Sequence, residues 1–254
     1  MNLYLIIVLA LLVAEYLLNN GVDLLNLTHV RTTIPEEFRG WYDEEKYAAS
    51  QRYLRDNTRF DLLSSTLQLP VLIGFILWGG FAWVDGVARS AGWGVVGTGL
   101  LFAGGLILLS QAVKLPFKLY ETFVLEEKYG FNRTTPATFA TDLAKGLVLT
   151  VLIGAPVFGG LVWFFSRAGD LAWLYSWVAI TAVQLLLIYM APVFIMPLYN
   201  TVVPPDDGEL QESISGYAET EGFTLQGIFT MDGSKRSTQS NAYFTGFGRW
   251  RRIV

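Results

Sequence analysis

Cysteine is absent from this chain of 254 residues, and histidine occurs once. Without cysteine the chain can form neither disulfides nor thiolate sites. A typical zinc site needs several nitrogen or sulfur ligands, so a single histidine excludes such a site within these residues. That histidine, His29, lies near no pair of carboxylates, and we expect it to be a solvated loop residue. The sequence therefore predicts no catalytic and no metal-binding residue in this chain.

Charge is also scarce, because only 16% of the residues are charged whereas 52% are hydrophobic. The net charge of −4 argues against nucleic acid as a partner. Four runs nearly free of charge are each about 20 residues long, which is what a helix needs to cross the hydrocarbon layer of a bilayer. These runs are Leu62–Val84, Gly92–Val113, Gly146–Phe165 and Leu171–Pro197. A fifth run, Leu3–Leu18, is shorter, and we predict an integral membrane protein with about five spans.

Positive charge is unevenly distributed along the chain. No Lys or Arg precedes Arg31, so the first run lacks the basic start of a signal peptide and reads as a retained helix. Sixteen of the 18 Lys and Arg fall in segments 19–59 and 114–145 and after the last span. The positive-inside rule then predicts an N-terminus outside, with loops 19–59 and 114–145 and the C-terminal tail in the cytoplasm. The sequence does not distinguish a bacterial inner membrane from the endoplasmic reticulum.

Four polar residues lie at or near membrane depth: Glu15, Gln68, Gln111 and Gln184. Such residues usually face the interior of a helix bundle or a wet cavity rather than lipid. Two interpretations remain open at this point. The side chains join helices through hydrogen bonds, or they line a chamber.

Local signals place further helices around the spans. A helix is expected from Glu44 towards the membrane, and Thr135-Pro136 is a helix N-cap followed by proline at the first helical position. Gly130 is expected to take a positive φ in a turn. Pro192 and Pro197 should kink or end the last span.

From Thr201 the composition becomes that of a soluble domain. An amphipathic helix is predicted to open at Asp206/Asp207 and to close near Gly222. Strands are predicted at Thr224–Met231 and Asn241–Phe247, then a turn at Gly248–Trp250 and a new strand at Arg251–Val254. As a plain alternating strand, the second would bury Ala242 and Phe244. The new strand would end the chain unpaired, which invites aggregation.

Four sequence blocks carry a family resemblance. They are FVLEEKYGFNRTT (Phe123–Thr135), APVFIMPLYN (Ala191–Asn200), DGEL (Asp207–Leu210) and MDGSKRSTQSNAYFTGFG (Met231–Gly248). Together, in this order, they resemble the type I CAAX prenyl proteases, which are integral membrane zinc metalloendopeptidases of the gluzincin kind. The resemblance covers essentially the whole chain and includes the number and orientation of the spans.

The resemblance implies a fold and a division into domains. We expect an all-α membrane bundle over 1–200 and the beginning of a cytoplasmic α+β metallopeptidase domain over 201–254. In the family, a His-Glu-x-x-His helix and a distant Glu bind zinc, and none of these residues occurs here. The chain is therefore expected to be the N-terminal part of such an enzyme, truncated before its zinc-binding helix and inactive alone, with zinc as the cofactor of the complete protein.

The resemblance also implies a substrate site. In the family, the strand that matches Asn241, Ala242, Tyr243 and Phe244 lies beside the cleft, where a peptide or prenylated-protein substrate extends along it. The physical basis is β-augmentation, in which an edge strand binds a peptide main chain. A non-catalytic membrane scaffold or peptide-binding module remains an alternative. A transporter would need paired charges within the spans, and the sequence shows none.

Overall fold

The computed structural model describes residues 2–167, 169, 171–205, 208–223, 225–245 and 251–254, without the side chains of residues 192 and 193. The chain forms two compact units, which are described separately. The first unit comprises Met1–Trp93 and Leu101–Gly130, and the second comprises Gly94–Leu100 and Phe131–Val254.

Five helices are long and apolar enough to cross a membrane, which confirms the predicted number of spans. They are Leu3–His29, Glu44–Trp78, Gly94–Lys128, Pro136–Phe165 and Ala172–Met190. Most of their large apolar side chains are exposed on the protein surface. Exposed apolar side chains on such helices fit a bilayer as the surrounding solvent.

The first unit is built from α1 (Leu3–His29), α2 (Glu44–Trp78), α3 (Gly80–Ser90), most of α4 (Gly94–Tyr120) and the short α5 (Glu126–Lys128). A 3₁₀ turn at Glu36–Phe38 lies between α1 and α2, and a π-helical turn at Glu121–Leu125 joins α4 to α5. Helix α2 packs against α1, against α3 and against the π-helical turn at Glu121–Leu125.

The start of α2 agrees with the sequence, because Asp43 accepts a hydrogen bond from the backbone N–H of Lys46 at 2.8 Å and Glu44 follows as the first helical residue. The end of α2 differs from the sequence prediction. Gly79 takes a left-handed conformation with φ of 85° and separates α2 from α3, so the predicted span Leu62–Val84 contains a helix break. Glycine adopts this conformation without the steric cost that other residues incur.

The first connection between spans is shorter than expected. Residues 19–29 belong to α1, and residues 44–59 form the helix predicted from Glu44, so segment 30–43 alone joins these two helices. Likewise, segment 114–145 is helical except near 129–135, where Gly130 has the expected positive φ of 71°. Charged residues misled the prediction because a helix satisfies its own backbone hydrogen bonds and can continue beyond the apolar layer.

In the second unit, helix α6 (Pro136–Leu149) begins as predicted, with the Thr135 side chain accepting from the N–H of Thr138 at 3.1 Å. A π-helical turn at Thr150–Gly154 carries it into α7 (Ala155–Phe165). Helix α8 (Ala172–Met190) continues through a π-helical turn at Ala191–Ile195 into α9 (Met196–Tyr199). The last span therefore changes its helical form at the predicted proline region and ends at Tyr199.

Small sheets follow. Strand β1 (Val202–Val203) pairs antiparallel with β3 (Thr230–Met231), and β5 (Arg252–Ile253) lies between β2 (Gly227–Ile228) and β4 (Phe244–Thr245). The β2–β5 pair is parallel and the β4–β5 pair is antiparallel. The expectation of an unpaired strand at Arg251–Val254 is therefore wrong, because β5 is the central strand and pairs on both sides.

Helix α10 (Gly208–Thr220) lies between β1 and β2 in the chain, and Gly222 closes it with a φ of 66°. The predicted opening at Asp206/Asp207, the strand start at Thr224 and the turn at Gly248–Trp250 lie outside the described residues. The long strand predicted at Thr224–Met231 is instead two short strands in different sheets.

Candidate functional site

A cavity of about 930 Å³ lies among the membrane helices of the first unit. Half of its twenty lining residues have polar side chains. These are Glu15, Tyr16, Asn19, Asn20, Asp61, Ser64, Ser65, Gln68, Ser110 and Lys114. Polar and charged side chains at membrane depth usually surround water, so this cavity can admit a polar guest.

Two of the four polar residues singled out from the sequence, Glu15 and Gln68, line this cavity, and the other two do not. The side chains of Gln111 on α4 and Gln184 on α8 are exposed on the surface of the protein. The chamber interpretation therefore remains a prediction for Glu15 and Gln68, while Gln111 and Gln184 lie elsewhere.

Hydrogen bonds between helices come from other side chains. Tyr16 Oη and Thr66 Oγ1 lie 2.8 Å apart, and Ser65 Oγ donates to Asn20 Oδ1 at 2.8 Å, so both bonds join α1 to α2. Gln68 instead donates to Ser64 Oγ within its own helix. A signal was present in the sequence, because residues 16 and 20 are spaced by four and therefore share one face of α1.

In the second unit, Arg236 is the centre of a polar cluster. Its Nε and Nη2 atoms donate to the two carboxylate oxygens of Asp142 at 2.7 and 2.8 Å, and both side chains are about one-quarter exposed. Its Nη1 atom donates to the carbonyl of Tyr199 at 2.7 Å and to Asn200 Oδ1 at 2.6 Å. The bond to Asp142 raises the pKa of Arg236, so the guanidinium stays charged.

The backbone of Arg236 extends the same cluster. Its carbonyl accepts from the N–H of Arg133 at 3.0 Å and from Thr134 Oγ1 at 3.2 Å. The N–H of Thr238 donates to the carbonyl of Phe131 at 3.0 Å. Parts of three sequence blocks that stand far apart in the chain therefore meet at one arginine.

Tyr243, next to strand β4, contacts residues close to this cluster. Its hydroxyl lies 3.4 Å from the sulfur of Met196 and 3.6 Å from that of Met231. Asn200 Nδ2 also approaches the Met231 sulfur, at 3.3 Å. Burial raises the pKa of Tyr243, so its hydroxyl keeps the proton that it donates.

The backbone of segment 241–245 has two distinct sides. Tyr243 exchanges two hydrogen bonds with Val254, at 2.9 and 3.0 Å, in the same register in which Phe244 opposes Ile253. In an antiparallel pair the backbone groups of alternate residues face the partner strand. The N–H and C=O of Phe244 therefore face away from β5, on the outer edge of the sheet as far as the described residues define it. Such an edge can pair with another extended chain.

Side chains of this segment depart from the plain-strand expectation. Ala242 and Phe244 are exposed, Phe244 by 48%, whereas Tyr243 and Thr245 are half-buried. The Phe244 ring packs edge-on against Phe223 at 5.2 Å between ring centres. The plain-strand alternative, in which Ala242 and Phe244 are buried, therefore does not hold, because Tyr243, whose hydroxyl contacts two methionines, lies on the inward face.

Comparison with known proteins gives this geometry a context. The family model of the CAAX prenyl protease N-terminal domain, described as five membrane helices, matches residues 23–201. CAAX prenyl protease 1 of Saccharomyces cerevisiae is 38% identical over 226 residues, which is 85% of this chain and 50% of the yeast protein.

The chain belongs to the CAAX prenyl protease family. A homolog of CAAX prenyl protease 1 from Arabidopsis thaliana is 31% identical over 256 residues, covering 97% of this chain and 60% of the plant protein. The crystal structure of S. mikatae Ste24p matches with a TM-score of 0.89 and 35% identity, over 100% of this chain and 61% of Ste24p. The chain thus spans one-half to three-fifths of the length of these relatives.

Zinc is expected in this protease family, and a zinc site needs a set of ligand side chains that lie close together. Among the residues that the structure describes, no three His, Cys, Asp or Glu side chains come together in a way that could hold a metal ion. His29, which was expected in a loop, is the last residue of α1, where its Nδ1 lies 2.9 Å from the carbonyl of Leu25.

The sequence did not reveal a role for the block EEKYGFN. In the structure, two of its residues contact helix α2 of the first unit. The hydroxyl of Tyr129 and the ammonium of Lys128 both donate to Asp56 Oδ2 on α2. The Tyr129 ring also packs edge-on against Tyr53, at 5.2 Å between ring centres. These hydrogen bonds and the ring contact therefore hold the short helix α5 against α2.

Proposed function

We propose that this chain supplies the membrane domain and the substrate-binding edge of a zinc metalloendopeptidase that cleaves the C-terminal CAAX tails of prenylated proteins. Membership of the CAAX prenyl protease family supports the reaction class. The division into a membrane domain over 1–200 and the beginning of a peptidase domain over 201–254 belongs to the same proposal.

The observation that carries the proposal is the outward-facing backbone of β4. A peptide that lies extended beside this strand meets the N–H and C=O of Phe244, and those of Ala242 at the next outward position. Main-chain pairing gives affinity that depends little on the peptide's side chains. Tyr243 has another role, because its backbone is already paired with Val254 and its hydroxyl contacts two methionines. Asn241 is exposed and begins the segment.

The Arg236 cluster supports this edge. The residues from 231 to 238 lead directly into the substrate segment, and their contacts with Asp142 and Asn200 fix them against helix α6 and the end of α9. A fixed edge binds a flexible peptide with less loss of conformational freedom than a mobile one.

The side of the membrane belongs to the proposal as well. The concentration of Lys and Arg in segments 19–59 and 114–145 and in the C-terminal tail favours a cytoplasmic location for them. The proposed substrate edge lies in that tail. A prenylated protein anchored in the bilayer by its lipid would then present its C-terminus on the same side.

The proposal assigns zinc to the complete enzyme and not to residues of this chain. With one histidine and no cysteine, the 254 residues cannot form the two-histidine motif of the family. We expect the chain by itself to be inactive.

The experiment joins this chain to the part of S. mikatae Ste24p that it does not match. The chimera is purified, and its cleavage of a farnesylated CAAX peptide is followed with and without a zinc chelator. We expect zinc-dependent cleavage by the chimera and none by the 254-residue chain.

Two results would contradict the proposal. Cleavage by the chain alone would show that the catalytic residues have been misassigned. A folded chimera that loads zinc and binds the peptide but does not cleave it would favour a non-catalytic scaffold or peptide-binding module. Unmodified Ste24p, assayed in the same detergent, is the positive control.

A further inference from the structure

A second cavity lies between helices α7 and α8 of the second unit. This crevice has a volume of about 300 Å³, and no charged residue is among the ten that line it. Most of its wall is apolar, including Val157, Gly160, Leu161, Ala179 and Val183. Apolar cavities of this kind stay dry and take up apolar guests.

One residue in this apolar wall, Ser176, carries a buried hydroxyl group. Ser176 is only 3% exposed, and its hydroxyl has no hydrogen-bond partner among the residues that the structure describes. Other hydroxyls nearby bond to their own helix: Thr181 donates to the carbonyl of Trp177 at 2.8 Å, and Ser166 to that of Trp163 at 2.6 Å. A buried hydroxyl without a partner is costly, so a ligand that supplies one would be favoured.

The surroundings restrict the nature of that ligand. Both helices belong to membrane spans, so the molecules that meet the crevice from outside are lipids. At its rim Trp163 and Tyr175 are each 54% exposed, and Tyr175 packs edge-on against Phe164. Aromatic residues near the ends of spans are typical of the membrane–water interface.

The position of Ser176 indicates how a lipid would lie. The crevice follows α8 from Tyr175 to Val183, roughly 12 Å of helix at 1.5 Å per residue. Helix α8 begins at Ala172, so Ser176 lies near the shallow end and the apolar wall extends inward. A lipid in its usual orientation places its polar group at the surface and its hydrocarbon inward, which matches this arrangement.

We propose that the α7–α8 crevice binds a neutral membrane lipid of the sterol kind, whose single hydroxyl pairs with Ser176 while its hydrocarbon body lies along the apolar wall. One buried polar atom matches a ligand with one polar group. The site does not depend on the proposed protease activity, because neither the crevice nor its test involves the substrate edge.

The test reconstitutes the 254-residue chain in phosphatidylcholine vesicles with a photoreactive sterol that keeps its hydroxyl. After irradiation, the labelled peptides are mapped by mass spectrometry. Label is expected in peptides from residues 157–183. Cholesterol should compete with the label about fivefold better than cholestene, its analogue without the hydroxyl.

Two variants probe the two features of the site. Gly160→Leu fills the crevice, and its Cβ meets open space, so the label should fall roughly tenfold. Gly74→Leu on α2, where a Cβ is equally free, is the matched control. Ser176→Ala should abolish the preference for cholesterol over cholestene, whereas Thr181→Ala should leave it unchanged because Thr181 bonds within its own helix.

Several outcomes would overturn the proposal. One is labelling confined to other segments, and another is labelling that Gly160→Leu does not reduce. Equal competition by cholesterol and cholestene in the unaltered chain, or a preference that survives Ser176→Ala, would show that the hydroxyl of Ser176 does not recognise the lipid.

Discussion

The two units of the molecule place their polar side chains in different ways. In the first, hydrogen bonds between helices and a large cavity with ten polar residues in its wall lie within the membrane bundle. In the second, helices α7 and α8 enclose an apolar crevice with one buried hydroxyl, and the polar contacts gather instead around Arg236. The first bundle is thus suited to enclose water and a polar guest, and the second to contact lipid while it holds the strands through one arginine.

The largest effect expected from this comparison concerns Arg236. Arg236→Ala removes the half-buried guanidinium that binds both carboxylate oxygens of Asp142, and it should lower the free energy of unfolding by about 2–3 kcal/mol. The loss should appear as a lower thermal midpoint and as faster proteolysis between residues 200 and 245.

The matched control for that change is Arg89→Ala. Arg89 pairs with Asp85 on the surface of α3 at 2.6 Å, with the Arg89 side chain 70% exposed, and exposed pairs contribute little. If both variants melted alike, Arg236 would not be the centre of the second unit.

The two cavities should differ in how easily water enters them. Because the chain has no cysteine, Ser64→Cys and Ala179→Cys each introduce a single thiol. A charged thiol reagent reacts with the thiolate, which forms in water but not among apolar side chains, so Ser64→Cys should react roughly a hundredfold faster. Equal rates would contradict the assignment of a wet cavity to the first unit and an apolar one to the second.

A smaller effect is expected between α1 and α2. Asn20→Ala removes the bond from Ser65, and single hydrogen bonds between membrane helices contribute about 0.6 kcal/mol on average. Gln111→Ala, at an exposed position, should leave the melting curve unchanged. A loss for Asn20→Ala as large as that for Arg236→Ala would mean that the polar network of the first unit acts as one cooperative element.

The smallest effect concerns pH. Burial raises the pKa of Tyr243, so the folded state keeps this proton when the unfolded state has lost it. Stability should therefore be unaffected below a pH of about 10, the ordinary tyrosine value, and fall as pH rises further. Tyr243→Phe should weaken this dependence, whereas Tyr217→Phe, at a 70% exposed position, should not.

Some of this architecture could be predicted from the sequence because its signals are local. The five spans follow from long apolar runs, the start of α6 from Thr135-Pro136, and the turn at Gly130 from glycine's tolerance of positive φ. The helix break at Gly79 was missed because apolar residues continue on both sides of it.

The features missed at the site depend on distant residues. Asp142 and Arg236 are 94 residues apart, and nothing near either residue indicates its partner. The central position of β5 depends on parallel pairing with β2, some 25 residues earlier in the chain. Two-residue strands have too little alternation to reveal which face is buried, which is why the pattern alone also allowed a strand with Ala242 and Phe244 on the buried side.

The central claim is that a peptide substrate pairs with the outer edge of β4, and the most direct test is the KM of the chimera with Ste24p for a farnesylated CAAX peptide. Phe244→Pro removes an N–H that faces outward, which an edge strand tolerates, whereas Phe244→Ala removes only the side chain. We expect the proline variant to raise KM roughly tenfold above that of the alanine variant through the lost main-chain bond. Equal KM values for the two variants, both folded, would contradict peptide binding along this edge.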